Sequence, residues 1–396
     1  MRQFSAFLLG GTALALLWSN LNHEAYHRFV YTVLESIPGM GHGGGPLEIT
    51  FHFLVNDFFM ALFFGMAMKE VSESFLPGGA LSSFRKAALP ALATLGGVIG
   101  PVVLFFILKA IFPPIIDGQE VDITRAWAVP TATDIAYSWL FASFVFGAKH
   151  PAVTFLLVLA VLDDLIGMAI IAFFYSSNVH PEYLGFVLLA MLIAEGMRRK
   201  RVRSFWPYVI IAGPISWIGL HFTGVHAALA LVPVVPFMPH ASRDLGMFAE
   251  MEEGRHDTMN EFEHYFKPLV DVGLLTFGLA NAGVYLKPEA FQASPTWIIF
   301  TSLVVGKTFG IYLFSRLGIF LGLSLPTHMK LSQQIVLGCV AGIGFTVALF
   351  VTDVATRDMP NKEVADMLKL GALMSFLAGP IAIHLGRLFK VEKIHS

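Results

Sequence analysis

The chain has 396 residues, of which 56% are hydrophobic and only 14% charged, whereas an ordinary soluble domain carries about 25% charged residues; so much apolar surface excludes a water-soluble fold. A formal net charge of −2 leaves no basic excess to recruit nucleic acid. The one cysteine, Cys339, excludes an internal disulfide and a cysteine-cluster metal site.

A helix needs roughly 20 apolar residues to cross a ~30 Å hydrocarbon layer, and runs of that order recur from end to end. In chain order they cover residues 4–20, 48–70, 88–112, 122–143, 150–174 and 182–197. They continue at 204–221, 223–237, 267–286, 294–315, 331–352 and 363–387. The expected fold is all-α: a single polytopic membrane domain over residues 1–396 with about twelve transmembrane helices. Arg2 ahead of the first run gives it a signal-peptide look, but no A-x-A-like site follows and many further spans do, so a retained helix is the simpler reading. His221 and Gly224 leave little room for a loop between the seventh and eighth runs.

With the amino terminus inside, most of the 26 Lys and Arg residues fall on the cytoplasmic side, which places both termini in the cytoplasm. The basic run from Arg198 to Arg203 reads as a topology anchor, with a phospholipid-binding patch as the alternative. The stretch from His240 to Phe266 is the longest cytoplasmic connection.

Four ionisable residues fall deep inside these runs: Asp134, Asp163, Asp164 and Lys307. Asp163 lies 13 residues beyond His150, roughly 20 Å along a helix and so near mid-depth. On insertion scales each such charge costs about 2.5 to 3.5 kcal/mol, and the four together rival the net stability of a whole fold. Helix registration by buried ion pairs is the bland explanation, and for an isolated acid such as Asp57 or Asp271 it competes evenly with a functional one. For four charges together, an ion or proton site is the better account.

The backbone beside them is also irregular. Pro130 removes a helix hydrogen bond, and Thr131 and Thr133 offer hydroxyls to backbone groups. Gly342-Ile343-Gly344-Phe345-Thr346 interrupts the eleventh run in a similar way. Each alone is equally compatible with a plain kink. Together they occupy corresponding positions in 88–174 and 294–387, the pattern of an inverted-repeat transporter core with broken helices in spans four and eleven. If two such breaks cross, paired amino-terminal ends make a positive spot suited to Asp134, and paired carboxy-terminal ends a negative spot suited to Lys307.

Ala-Val-Pro-Thr-Ala-Thr-Asp-Ile-Ala at 128–136 and Leu-Asp-Asp-Leu at 162–165 resemble the NhaA family of sodium/proton antiporters, itself among the transporters from which the inverted-repeat rule was drawn. The resemblance continues through Gly-Val-His-Ala at 224–227, Ala-Asn-Ala-Gly at 280–283 and Gly-Lys-Thr-Phe-Gly at 306–310 to the glycine motif at 342–346, covering nearly the whole chain in order. It implies a secondary antiporter that exchanges Na+ or Li+ for H+ across a bacterial inner membrane, electrogenically, with no cofactor. It further implies that Asp164 is the principal ion-binding carboxylate, with Asp163 beside it and Thr133 as a ligand. By the same resemblance Lys307 pairs with Asp163, Asp134 balances the crossing helices, and His226, Glu263 and His264 respond to pH. The chain departs from the family at Ala67, where better-known members carry a glutamate, and at Lys267, where they carry histidine. A homodimer is implied through an outer-loop hairpin, here the glycine-rich stretch around Gly43 and Gly45; His42 within it reads as part of a turn and not as a metal ligand.

Chemistry fits the resemblance. Sodium is a hard ion that takes oxygen ligands, an argument extended here from divalent cations. Consecutive helical residues point about 100° apart, so Asp164 can face an ion cavity while Asp163 faces Lys307. Two other readings compete. A sodium-coupled organic-anion symporter on a similar scaffold would need an arginine at mid-depth, and none is there. An intramembrane aspartyl protease would need facing carboxylates on separate helices, and Gly-x-Gly-Asp is absent.

Overall fold

The computed structural model describes residues 2–41, 45–77, 79, 81–116, 118–176, 179–240, 257–326, 329–357, 359, 361–391 and 393. His42, Gly43 and Gly44, and residues 241–256 of the long connection, lie outside the described residues.

Lipid offers no hydrogen bonds, so a spanning segment has to satisfy its backbone internally, and apolar runs of this length fold as helices. Among the described residues, five helices are long and apolar enough to cross a membrane: Phe51–Ser74, Ala87–Ile111, Pro151–Phe174, Ser294–Phe320 and Lys362–Leu388. A sixth candidate is the pair Leu331–Ala341 and Phe345–Thr356, bent by 52° at its break. Ala6–Leu21, Ile135–Phe146 and Tyr208–Thr223 are shorter apolar helices. The chain is a helical, multi-pass membrane protein, and its exposed large side chains are characteristically Phe, Leu and Ile, as on Phe173, Phe309 and Leu192.

Besides the bent pair at 331–356, two further expected spans differ from continuous helices. The run at 122–143 divides into a 3-10 segment, Thr124–Thr131, and a helix, Ile135–Phe146, because Pro130 lacks a backbone donor and Asp134 caps the second piece. The run at 223–237 is not a helix. Gly224, at φ +86°, closes the preceding helix, and the chain then makes two short 3-10 turns, Ala227–Leu229 and Val235–Phe237. Pro233 and Pro236 take two backbone donors out of this stretch.

The chain forms two compact units. One comprises Met1–Ser5, Ser83–Gly167 and Val284–Ser396; the other comprises Ala6–Ser82 and Met168–Gly283. In the first, the helix Phe84–Ile111 packs closely on Ser294–Phe320. A β-carbon on Gly310 would collide with the Gly96 carbonyl oxygen, and one on Gly100 with the Gly306 carbonyl oxygen. These glycines therefore set the approach of the helix that carries Lys307.

In the second unit an antiparallel hairpin, Val33–Ile37 with Leu47–Thr50, precedes the helix Phe51–Ser74. That helix is tied to Thr258–Asn281 by a buried amide pair, Asn56 Nδ2 donating to Asn281 Oδ1 at 3.1 Å and Asn281 Nδ2 to Asn56 Oδ1 at 2.9 Å. Each amide leaves little polar capacity unsatisfied, which is what makes such a pair tolerable inside a membrane protein.

Candidate ion site

The first unit contains Thr133, Asp134, Asp163, Asp164 and Lys307, and all five are buried. The helix Pro151–Phe174 carries Asp163 and Asp164 on successive positions. Lys307 lies on Ser294–Phe320, directly after a π-helical turn at Ser302–Gly306. Such single wide turns re-aim the side chains that follow and are frequent at functional sites.

Lys307 Nζ donates to Asp163 Oδ2 at 2.8 Å, and the two side chains are 0% and 2% exposed. The same ammonium donates to the carbonyl oxygen of Thr131, the last residue of the 3-10 segment. One lysine thus serves a carboxylate and the carboxy-terminal end of a broken helix, both of which present negative charge. Asp163 Oδ1 is buried, and among the described residues the Thr133 hydroxyl is the further hydrogen-bonding group placed at this carboxylate. The Thr133 hydroxyl stands beside the Asp163 carboxylate and donates its own proton to Ala341 O at 3.0 Å. Asp164 acts through space on the Lys307 ammonium.

The two breaks meet. Asp134 N donates to Ile343 O at 2.7 Å, and Ser138 Oγ to Val340 O at 2.9 Å. The Asp134 carboxylate is shared between two helix starts: Oδ1 accepts from Tyr137 N at 3.1 Å, and Oδ2 accepts from Thr346 N at 3.2 Å and from the Thr346 hydroxyl. A single carboxyl group therefore lies where two amino-terminal half-dipoles and their N–H groups converge, a place that favours negative charge. Thr346 lay within a recognised motif, but its role follows only from asking which donors face Asp134.

The remaining candidates lie in the second unit. His226 is buried and caps the turn Ala227–Leu229, its Nδ1 accepting from Ala228 N at 3.2 Å. Glu263 is bound by Lys69, whose Nζ lies 2.5 Å from Glu263 Oε2 and 2.7 Å from Glu73 Oε2. His264 is exposed. In the sequence Lys69 reads as an ordinary residue near a helix end. Only the packing of Phe51–Ser74 against Thr258–Asn281 reveals it as a 4% exposed cation serving two acids.

Chemically, the first unit holds two neighbouring aspartates, one bonded to a buried ammonium, with the Thr133 hydroxyl at Asp163 and the Thr131 carbonyl oxygen on the same ammonium. That donor set suits a hard monovalent cation or a proton.

Comparison with known proteins gives a consistent answer. The family profile described as Na+/H+ antiporter 1 matches residues 2–385. The Na+/H+ antiporter NhaA of Geobacter sulfurreducens is 45% identical, across 100% of this chain and 98% of that protein. NhaA 2 of Pelobacter propionicus is 44% identical over 100% and 98%, and NhaA of Desulfitobacterium hafniense 44% over 100% and 96%. These relatives are named as transporters, and the comparisons give the organic-anion symporter reading no support.

Proposed function

The chain belongs to the Na+/H+ antiporter 1 family, and from that membership we propose that it exchanges Na+ for H+ across a bacterial inner membrane, serving sodium and pH homeostasis. The observation that carries the reading is the buried Lys307–Asp163 pair beside Asp164, next to the two helix breaks that share Asp134. Asp164 binds the cation, with Asp163 and Thr133 supplying further oxygens. Lys307 holds Asp163 when no cation is bound, and Asp134 neutralises the crossing.

Exchange follows from competition. A carboxylate group takes a proton or an alkali metal ion, and reorientation of a site occupied by either carries each in turn across the membrane. Lys307 is bonded to Asp163 and within electrostatic reach of Asp164, so protonation or cation binding at either acid alters the balance of charge at the other through it. No cofactor and no enzymatic step enters. Li+ takes the place of Na+ at the same oxygens. More than one proton per sodium, and hence net charge movement, is part of the proposal.

The wider architecture is proposed in the same terms. Twelve crossings, the eighth made by the non-helical stretch 223–237, place both termini in the cytoplasm, and 88–174 and 294–387 are inverted repeats whose fourth and eleventh spans are broken. The compact unit that unites Ser83–Gly167 with Val284–Ser396 supports this, as does the meeting of the two breaks. His226, Glu263 and His264 carry the pH response, and the outer-loop hairpin Val33–Ile37/Leu47–Thr50 offers an edge for a homodimer.

In everted membrane vesicles carrying the protein, addition of Na+ or Li+ should dissipate a respiration-generated pH gradient, read by dequenching of an acridine dye, and K+ should not. Dissipation only when an organic anion accompanies Na+ would favour the symporter instead.

A further inference from the structure

The amino-terminal start of Phe345–Thr356 presents more donors than Asp134 accepts. The first N–H groups of any helix lack intrahelical partners, and in a dry interior each has to find an acceptor. Asp134 takes those of Thr346. The two preceding N–H groups, of Gly344 and Phe345, both donate to Ser375 Oγ, at 3.2 and 3.4 Å.

Ser375 comes from a different helix, Lys362–Leu388, at the point where it tightens into the 3-10 turn Ser375–Leu377. Its hydroxyl proton is committed to Ala372 O at 2.6 Å, so its one donor and two acceptor positions are all used. Ser375 is fully buried. Its neighbour Phe376 packs against both helix starts, with ring centroids 5.7 Å from Tyr137 and 5.9 Å from Phe345. Tyr137 and Phe345 also meet each other at 5.2 Å. The turn at Ser375 is therefore the floor on which both broken helices rest.

We propose that Ser375 is a positioning residue for cation exchange: its uncharged hydroxyl fixes the start of Phe345–Thr356 and so places the Thr346 donors that hold the Asp134 carboxylate. It touches no transported ion. A hydroxyl suits the place because it caps two N–H groups without adding a second negative charge beside Asp134. The inference rests on the antiport reading.

The test uses full-length protein reconstituted in liposomes, with Na+-driven H+ movement followed across pH. If wild-type protein moves no H+, it is the antiport reading that falls. Given wild-type flux, Ser375→Ala should raise the apparent KM for Na+ by roughly three- to tenfold and shift the pH profile, with a smaller change in maximal rate; Ser375→Thr should restore both. Wild-type KM and pH profile in Ser375→Ala, with or without a lower melting temperature, overturns the proposal. If Ser375→Ala yields no folded protein, the double variant Asp134→Asn, Ser375→Asp is compared with Asp134→Asn alone. Partial recovery of flux by charge relocated onto the same helix start supports the proposal, and no recovery overturns it.

Discussion

Asp163 and Asp164 are neighbours on one helix whose surroundings assign them different work. Asp163 is bonded to Lys307 at 2.8 Å with its other oxygen buried near the Thr133 hydroxyl, whereas Asp164 lies within electrostatic reach of the same lysine. Replacing Asp164 with Asn keeps the size and removes the charge. The expected outcome is loss of both Na+-dependent and Li+-dependent H+ movement; near-wild-type exchange would contradict its place as the ligand. Lys307→Ala strands Asp163 in the interior, and removing one partner of a buried ion pair costs about 3 to 5 kcal/mol. A clear drop in melting temperature should follow in detergent, together with an altered pH profile, and the absence of both would count against the pair.

At the scale of elements, the exchange site depends on how closely Ser294–Phe320 approaches Phe84–Ile111. Gly310 lies against the backbone of Gly96, so Gly310→Ala forces the helices apart at a cost of about 1 to 3 kcal/mol and moves Lys307 with its helix. Reduced thermal stability and weakened Na+ affinity are expected together, and unchanged values of both would show that the contact has slack. The charged residues of this region stood out in the sequence because an unneeded charge in lipid is costly, and the breaks stood out because Pro130 and Gly342–Gly344 interrupt otherwise uniform apolar runs. The region at 223–237 misled for the opposite reason: its hydropathy is that of a span, while Pro233 and Pro236 and the capping His226 turn it into short 3-10 turns. Ser375 and Lys69 gave no signal at all. A serine in an apolar helix and a lysine near a helix end are commonplace, and their partners, the N–H groups of Gly344 and Phe345 and the carboxylate of Glu263, come from distant parts of the chain.

In the whole molecule, the proposed exchange is a competition between hydrogen ions and sodium for one set of buried oxygens. Each compact unit contributes its own polar interior: the first holds the paired carboxylates and crossed helix ends, the second the Lys69–Glu263 link and the Asn56–Asn281 clasp. The most direct measurement is H+ flux on addition of Na+ to purified protein in liposomes, repeated at several pH values. Competition requires flux at once on Na+ addition, with the apparent KM for Na+ rising as pH falls, by up to about tenfold per pH unit where one proton competes for the site. No H+ movement, or a KM for Na+ that does not respond to pH, would contradict it.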